Sequence, residues 1–195
     1  MFDPMKDKYI EKIEWAAENG FNRLSNYILY NYKDTPEDFY ERLRINVELN
    51  ERLGTQIYSF PMKYIPVTNK DRNFVGKRWT PKYLRSIQCI LQATHGVVSP
   101  RMEFFEAAFG RSVKEFKKLL IMPADYIIYR EHHKDNGTAE WSDLLSSLTP
   151  NQRKDFLKIV KKNGFEGGVL SQYSKVNALL EHYKKSRSKP LSNFC

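Results

Sequence analysis

Cysteine is almost absent from this chain: Cys89 and Cys195 are the whole supply. Neither stands near a histidine pair, so the chain cannot build a zinc or iron–sulfur site alone, since such sites take about three or four converging ligands. Cys89 falls in an apolar helical pattern and Cys195 is the last residue. No structural disulfide is expected between them, and a reducing cytoplasm is the simplest setting. Long apolar runs are missing as well. None approaches the roughly 20 residues that a membrane-spanning helix requires, so no membrane partner is expected. Residues 1–11 carry Asp3, Asp7 and Glu11 and no apolar stretch, which argues against a secretory signal.

What is present supports a folded protein. Hydrophobic residues make up 41% of 195 positions and aromatic residues 14%, enough for one domain, or one domain with an appendage. The net charge of +9 favours an anionic partner, whether nucleic acid, phosphate or a nucleotide cofactor. The competing reading is a solvated surface with excess lysine.

Four Ser/Thr-Pro pairs punctuate the chain: Thr35-Pro36, Thr80-Pro81, Ser99-Pro100 and Thr149-Pro150. A hydroxyl at the N-cap accepts from an orphan amide, and proline fits the first helical position, where no donor is needed. Helices are therefore predicted to begin near residues 36, 81, 100 and 150. Thr149 and Gln152 also have the spacing of a capping box. An earlier helix is predicted from Tyr9, Ile10, Ile13, Ala16 and Ala17, stopped by Asn19-Gly20. Two apolar and aromatic strands follow in alternation with a helix. They are Leu24–Tyr30 and Gln56–Phe60, the second ended by Pro61, with a helix over Pro36–Leu53 between them. Such alternation predicts parallel strands covered by helices. Two strands do not make a stable sheet alone, so further strands or a partner are expected.

The remainder reads as mostly helical, with helices near 81–94, 100–109, 112–121, 138–147, 150–162 and 171–186. Tyr126–Tyr129 fits either a strand or a helical turn. The chain thus divides into residues 1–70 and a basic, mostly helical stretch 71–195.

Four constellations invite a functional reading. His132-His133, beside Glu131 and Asp135, could bind a metal, but adjacent side chains diverge and a site needs more ligands. His95 precedes Gly96 at a predicted helix end, where an imidazolium suits the helix dipole. Gly164, Gly167 and Gly168 do not follow a strand as a phosphate loop would, and read as a helix stop. The strongest signal is the loop after the second strand. There Lys63, Lys70, Arg72, Lys77 and Arg78 interleave with Tyr64, Phe74 and Trp79. Charge and stacking together suit a nucleotide or single-stranded nucleic acid, and α/β sheets bind ligands at the carboxyl ends of their strands. Asn31 and Lys63 lie near those ends.

The segment Asn26–Leu43 resembles the fifth-strand region of radical S-adenosylmethionine enzymes. In that superfamily an apolar strand often ends in a glycine, followed by Thr-Pro-Glu-Asp or similar and a helix. Asn31 stands at the glycine position, and Thr35-Pro36-Glu37-Asp38 match. Ile57–Lys63 is similar to the sixth strand. The runs Trp79–Arg85, Thr94-His95-Gly96 and Phe104-Phe105 to Gly110 are similar to the C-terminal extension of one group in the superfamily. The likeness covers residues 5 to 130.

The superfamily's CxxxCxxC motif and first four strands are absent from this sequence. The resemblance therefore implies a partial (half) TIM-type barrel with parallel strands, followed by a mostly helical C-terminal extension. It implies a C-terminal fragment of a radical SAM iron–sulfur enzyme, inactive alone. Met1 would then be an internal or broken start, with the N-terminal half-barrel missing or encoded as a separate polypeptide, and that half would supply the [4Fe-4S] cluster. By the same resemblance Asn26 and Asn31 face bound S-adenosylmethionine, while Pro61 and Met62 pass near its adenine. Lys63 and Arg78 are placed at a substrate or anion. A stand-alone basic helical module for nucleic acid is the competing reading.

Overall fold

The computed structural model describes residues 5–68, 72–130, 137–162 and 171–185. The chain divides into two compact units. One comprises Met1–Thr80 with Ile90–Leu119, and the other Pro81–Cys89 with Leu120–Cys195. The division expected at residue 70 falls inside the first unit. The reason is packing, because Trp79, Phe105, Phe109 and Phe116 all join the core laid down by the preceding helix.

The first unit opens with α1 (Lys6–Glu18), β1 (Arg23–Tyr30), α2 (Pro36–Leu53) and β2 (Gln56–Lys63). β1 and β2 are parallel, in register from Arg23 opposite Gln56 to Tyr30 opposite Lys63. They are the only strands among the described residues, so the fold is mixed α/β with an open two-stranded sheet. Thr35 starts α2 as its sequence predicts. Its hydroxyl accepts from the Asp38 amide at 3.1 Å, and the Asp38 carboxylate accepts from the Thr35 amide at 2.8 Å. Gly54, at φ 67°, ends the helix.

β2 does not stop at Pro61 but continues to Lys63. Hydrogen-bond parity explains this. Gln56 and Tyr64 donate their amides toward β1, to Asn22 and Tyr30. Ile57 and Ser59 donate the opposite way, to the Asn50 side chain and to Val98. Position 61 shares the parity of 57 and 59, so the donor that proline lacks falls on the side away from β1.

The first unit is finished by the end of α3 (Pro81–Ala93), by α4 (Met102–Phe109) and by most of α5 (Val113–Ile121). α4 begins two residues later than Ser99-Pro100 predicts, and its N-cap is Arg101 with no side-chain cap. The preceding backbone is already held: Val98 bridges to Ser59, and Asn50 donates to the Pro100 carbonyl at 3.2 Å. The core is aromatic. Phe39 lies 6.2 Å from Trp79 and from Phe109, and Tyr40, whose hydroxyl donates to the Gly110 carbonyl, lies 5.2 Å from Phe116.

The second unit contains α6 (Ala124–Ile128), α7 (Thr138–Ser146), α8 (Pro150–Val160) and α9 (Ser174–Lys185), with the start of α3 and the end of α5. Residues 126–129 therefore resolve to a helix and its C-cap. Thr149 and Gln152 form the capping box that their spacing predicts. Trp141, Phe156, Leu179 and Leu180 fill the core. No helix among the described residues is long and apolar enough to cross a membrane.

Candidate functional site

The two faces of the sheet differ sharply. Ile28, Tyr30, Ile57 and Ser59 turn toward the helices and are buried. On the opposite face Tyr27 is 72% exposed, Leu29 51%, Met62 47% and Tyr58 40%. The register sets Tyr27 opposite Phe60 and Leu29 opposite Met62, and the Tyr27 and Phe60 rings lie 5.9 Å apart. The result is one contiguous apolar surface in water, a feature that ordinarily marks an interaction site.

The outer edge of β1 is open as well. Even-numbered residues of β1 bond to β2, so the backbone groups of Ser25, Tyr27 and Leu29 point outward. Arg42 covers the end of this edge by donating to the Leu29 carbonyl at 2.7 Å while pairing with Asp34 at 2.7 Å. A groove of about 400 Å3 runs alongside, where apolar and aromatic side chains such as Tyr27 and Leu29 meet Asn26 and the charged Asp34, Glu41 and Arg42.

The sequence-predicted site residues fall into two groups. Asn26 points to the helix side. Its Nδ2 donates to the Tyr9 hydroxyl at 2.7 Å, and its Oδ1 accepts from Asn46 at 3.2 Å. Tyr9 in turn donates to Asn46, and Asn46 donates to Ser59. Burial pushes the Tyr9 hydroxyl up to about 12, against the smaller opposing effect of its hydrogen bonds to Asn26 and Asn46. This closed network locks α1, β1, α2 and β2 together.

Asn31, by contrast, organises the carboxyl end of the sheet. It is fully buried at φ 74°, a left-handed conformation that asparagine tolerates. Its Nδ2 donates to the carbonyls of Tyr64 and Phe74, and its Oδ1 accepts from the Gly76 amide. Lys63 donates to the Arg72 carbonyl across the same loop, at 2.8 Å. Asn31 and Lys63 thus meet in one loop clamp. Pro61 is half-buried in the strand, Met62 lies on the exposed face, and Arg78 is exposed in the loop. Tyr32 and Tyr64 pack at 4.5 Å, and the Lys33 ammonium lies 5.3 Å from the Tyr32 ring.

Other groups carry chemistry that sequence reasoning did not weigh. In the second unit, Lys82 is 2% exposed. Its ammonium donates to Ser86 and to the Met122 carbonyl, with no carboxylate beside it among the described residues. Desolvation holds its pKa down to about 8. Tyr126 and His182 share a buried hydrogen bond of 2.8 Å, and Gly137 abuts it, since a Cβ there would lie 2.6 Å from the Tyr126 hydroxyl. No local pattern in the sequence marks Lys82 or His182 as buried. His95 adopts φ 53° at the end of α3, in the turn that its sequence predicts. Lys70, Glu131, His132, His133, Asp135, Gly164, Gly167, Gly168 and Cys195 lie outside the described residues. Among the described residues no cluster of three or more His, Cys, Asp or Glu side chains could hold a metal ion.

No family model, curated protein or solved structure matches this chain.

Proposed function

We propose that this chain acts by completing a larger parallel α/β sheet, with the remaining strands supplied from outside these 195 residues. The apolar face built from Tyr27, Leu29, Tyr58, Phe60 and Met62 carries the reading. A two-stranded sheet covered on one face only leaves that surface and the β1 edge without partners, and closure onto further strands removes both costs. The sequence resemblance names the larger sheet as a radical S-adenosylmethionine barrel.

Cofactor chemistry does not belong to this chain in that assembly. Cys89 is buried and cannot meet the need of a cluster for about three or four thiolates. Asn31 gives its amide to the Tyr64 and Phe74 carbonyls and accepts from Gly76, so it enters the reading as scaffolding, while Asn26, held by Tyr9 and Asn46, borders the groove beside β1 and stays in the reading as a ligand. What the chain contributes is a wall: Leu29, Met62 and the clamped loop at the carboxyl ends of β1 and β2.

Co-expression with an N-terminal radical SAM half-barrel polypeptide carrying CxxxCxxC tests the proposal. The expected result is a stoichiometric complex that holds an iron–sulfur cluster, and its loss when Tyr27, Leu29 and Met62 are changed to serine. A chain that remains monomeric and does not bind the half-barrel overturns it.

A further inference from the structure

Some cations are matched by anions: Arg42 with Asp34, Arg44 with Glu48, Arg52 with Glu14 and Lys117 with Glu37 in the first unit, and Lys184 with Glu181 in the second. Those of α8 are not. Arg153, Lys154 and Lys158 are exposed along it, and Lys162 continues the row in the turn that follows. Among the described residues none of these four forms an ion pair. The one carboxylate on α8, Asp155, is half-buried, accepts the Ser171 hydroxyl at 2.5 Å and forms no ion pair with the row among the described residues. Lys161 lies at the same end, its ammonium 5.8 Å from the Tyr83 ring.

The shape of this surface restricts its partner. Phe156 and Val160 turn inward, and Leu157 and Ile159 are half-buried, so α8 has no exposed large apolar side chain with which to enter a lipid interface. Lys154, Lys158 and Lys162 repeat every fourth residue, which sets them in a line with a rise of about 6 Å per step. A straight row of evenly spaced, flexible cations fits a linear polymer of evenly spaced anions. Single lysine heads read charge rather than base identity. We infer that the solvent face of α8, with Lys162, binds the phosphate backbone of nucleic acid without sequence specificity.

Fluorescence anisotropy of short labelled RNA strands and DNA duplexes, across a salt series, tests this on the full chain. The expected dissociation constant is about 10⁻⁶ to 10⁻⁴ M at physiological salt. Changing Arg153, Lys154, Lys158 and Lys162 together to glutamine should weaken binding at least tenfold. The same change should flatten the log–log salt dependence by about 3, since each phosphate contact accounts for about 0.7 to 0.9 of the slope. A control variant with Lys8, Lys12, Lys33 and Lys114 changed to glutamine loses the same charge from the first unit and should bind as the parent does. All eight side chains are exposed, and circular dichroism confirms that each variant is folded. Absence of binding by the parent, or equal weakening by the two variants, overturns the inference. So does displacement of the oligonucleotide by polyglutamate at equal charge, which would assign the surface to an acidic protein.

Discussion

Asn31 and Gly76 are locked together twice. The Gly76 amide donates to the Asn31 side chain at 2.7 Å, and the position a Cβ would take on Gly76 lies 2.7 Å from the Asn31 backbone oxygen. The contact that holds the 64–76 loop against the end of β1 therefore requires glycine on one side and an amide on the other.

Two variants test that lock. Gly76→Ala drives a methyl group into two backbone carbonyls, of Asn31 and Tyr32, neither of which can rotate away as a side chain could. Asn31→Leu strands the Gly76 amide and two carbonyls, where each unsatisfied buried group costs about 1–3 kcal/mol. Both should lower the thermal unfolding midpoint clearly. An Asn31→Leu variant as stable as the parent would show that the clamp is not formed.

The capping box at the start of α2 is the second test. Thr35→Ala removes the acceptor for the Asp38 amide and should cost about 0.5–2 kcal/mol in chemical unfolding. Asp38→Ala removes the reciprocal bond to the Thr35 amide and should act in the same direction.

Lys82 gives a pH dependence with a defined sign. Desolvation lowers its folded pKa to about 8, against the ordinary lysine value of 10.5. Between those values the unfolded chain carries the proton and the folded chain does not, so stability rises with pH across this window. The gain approaches about 3 kcal/mol, because one pKa unit is worth about 1.4 kcal/mol. Lys82→Met abolishes the effect. The difference in unfolding free energy between parent and variant, measured from pH 7 to 11, isolates Lys82 from the buried thiol and phenols. A difference that stays flat would mean that the ammonium is solvated.

The exposed sheet face predicts self-association of the isolated chain. Changing Tyr27, Leu29 and Met62 to serine replaces exposed apolar side chains and should leave the fold intact while shifting sedimentation toward monomer. A parent chain that is monomeric at high concentration removes the basis for an interaction surface on this face.

Much of the local structure was legible in the sequence, because its signals are short-range. Thr35-Pro36, Thr149-Pro150 and Gly54 mark helix ends through bonds that reach no further than a few residues, and α2 runs from Pro36 to Leu53 as its pattern predicts. Alternating burial in β1 follows from its own residues together with the helix that crosses over to β2. What those signals cannot carry is the destination of a polar side chain. Asn26 and Asn31 are alike as sequence, two asparagines in one apolar strand region. Yet Tyr9 and Asn46 take up the first, and a loop more than thirty residues away closes on the second. Pro61 likewise reads as a stop until the neighbouring strand decides which way its missing donor points. Lys82 looks like a surface residue until the end of α5 places the Met122 carbonyl against it. Sequence thus determined most of the elements, their order and those ends that near neighbours cap. Tertiary structure alone decided which face of the sheet is bare and which polar groups are spent holding the fold, because both depend on partners distant in the chain.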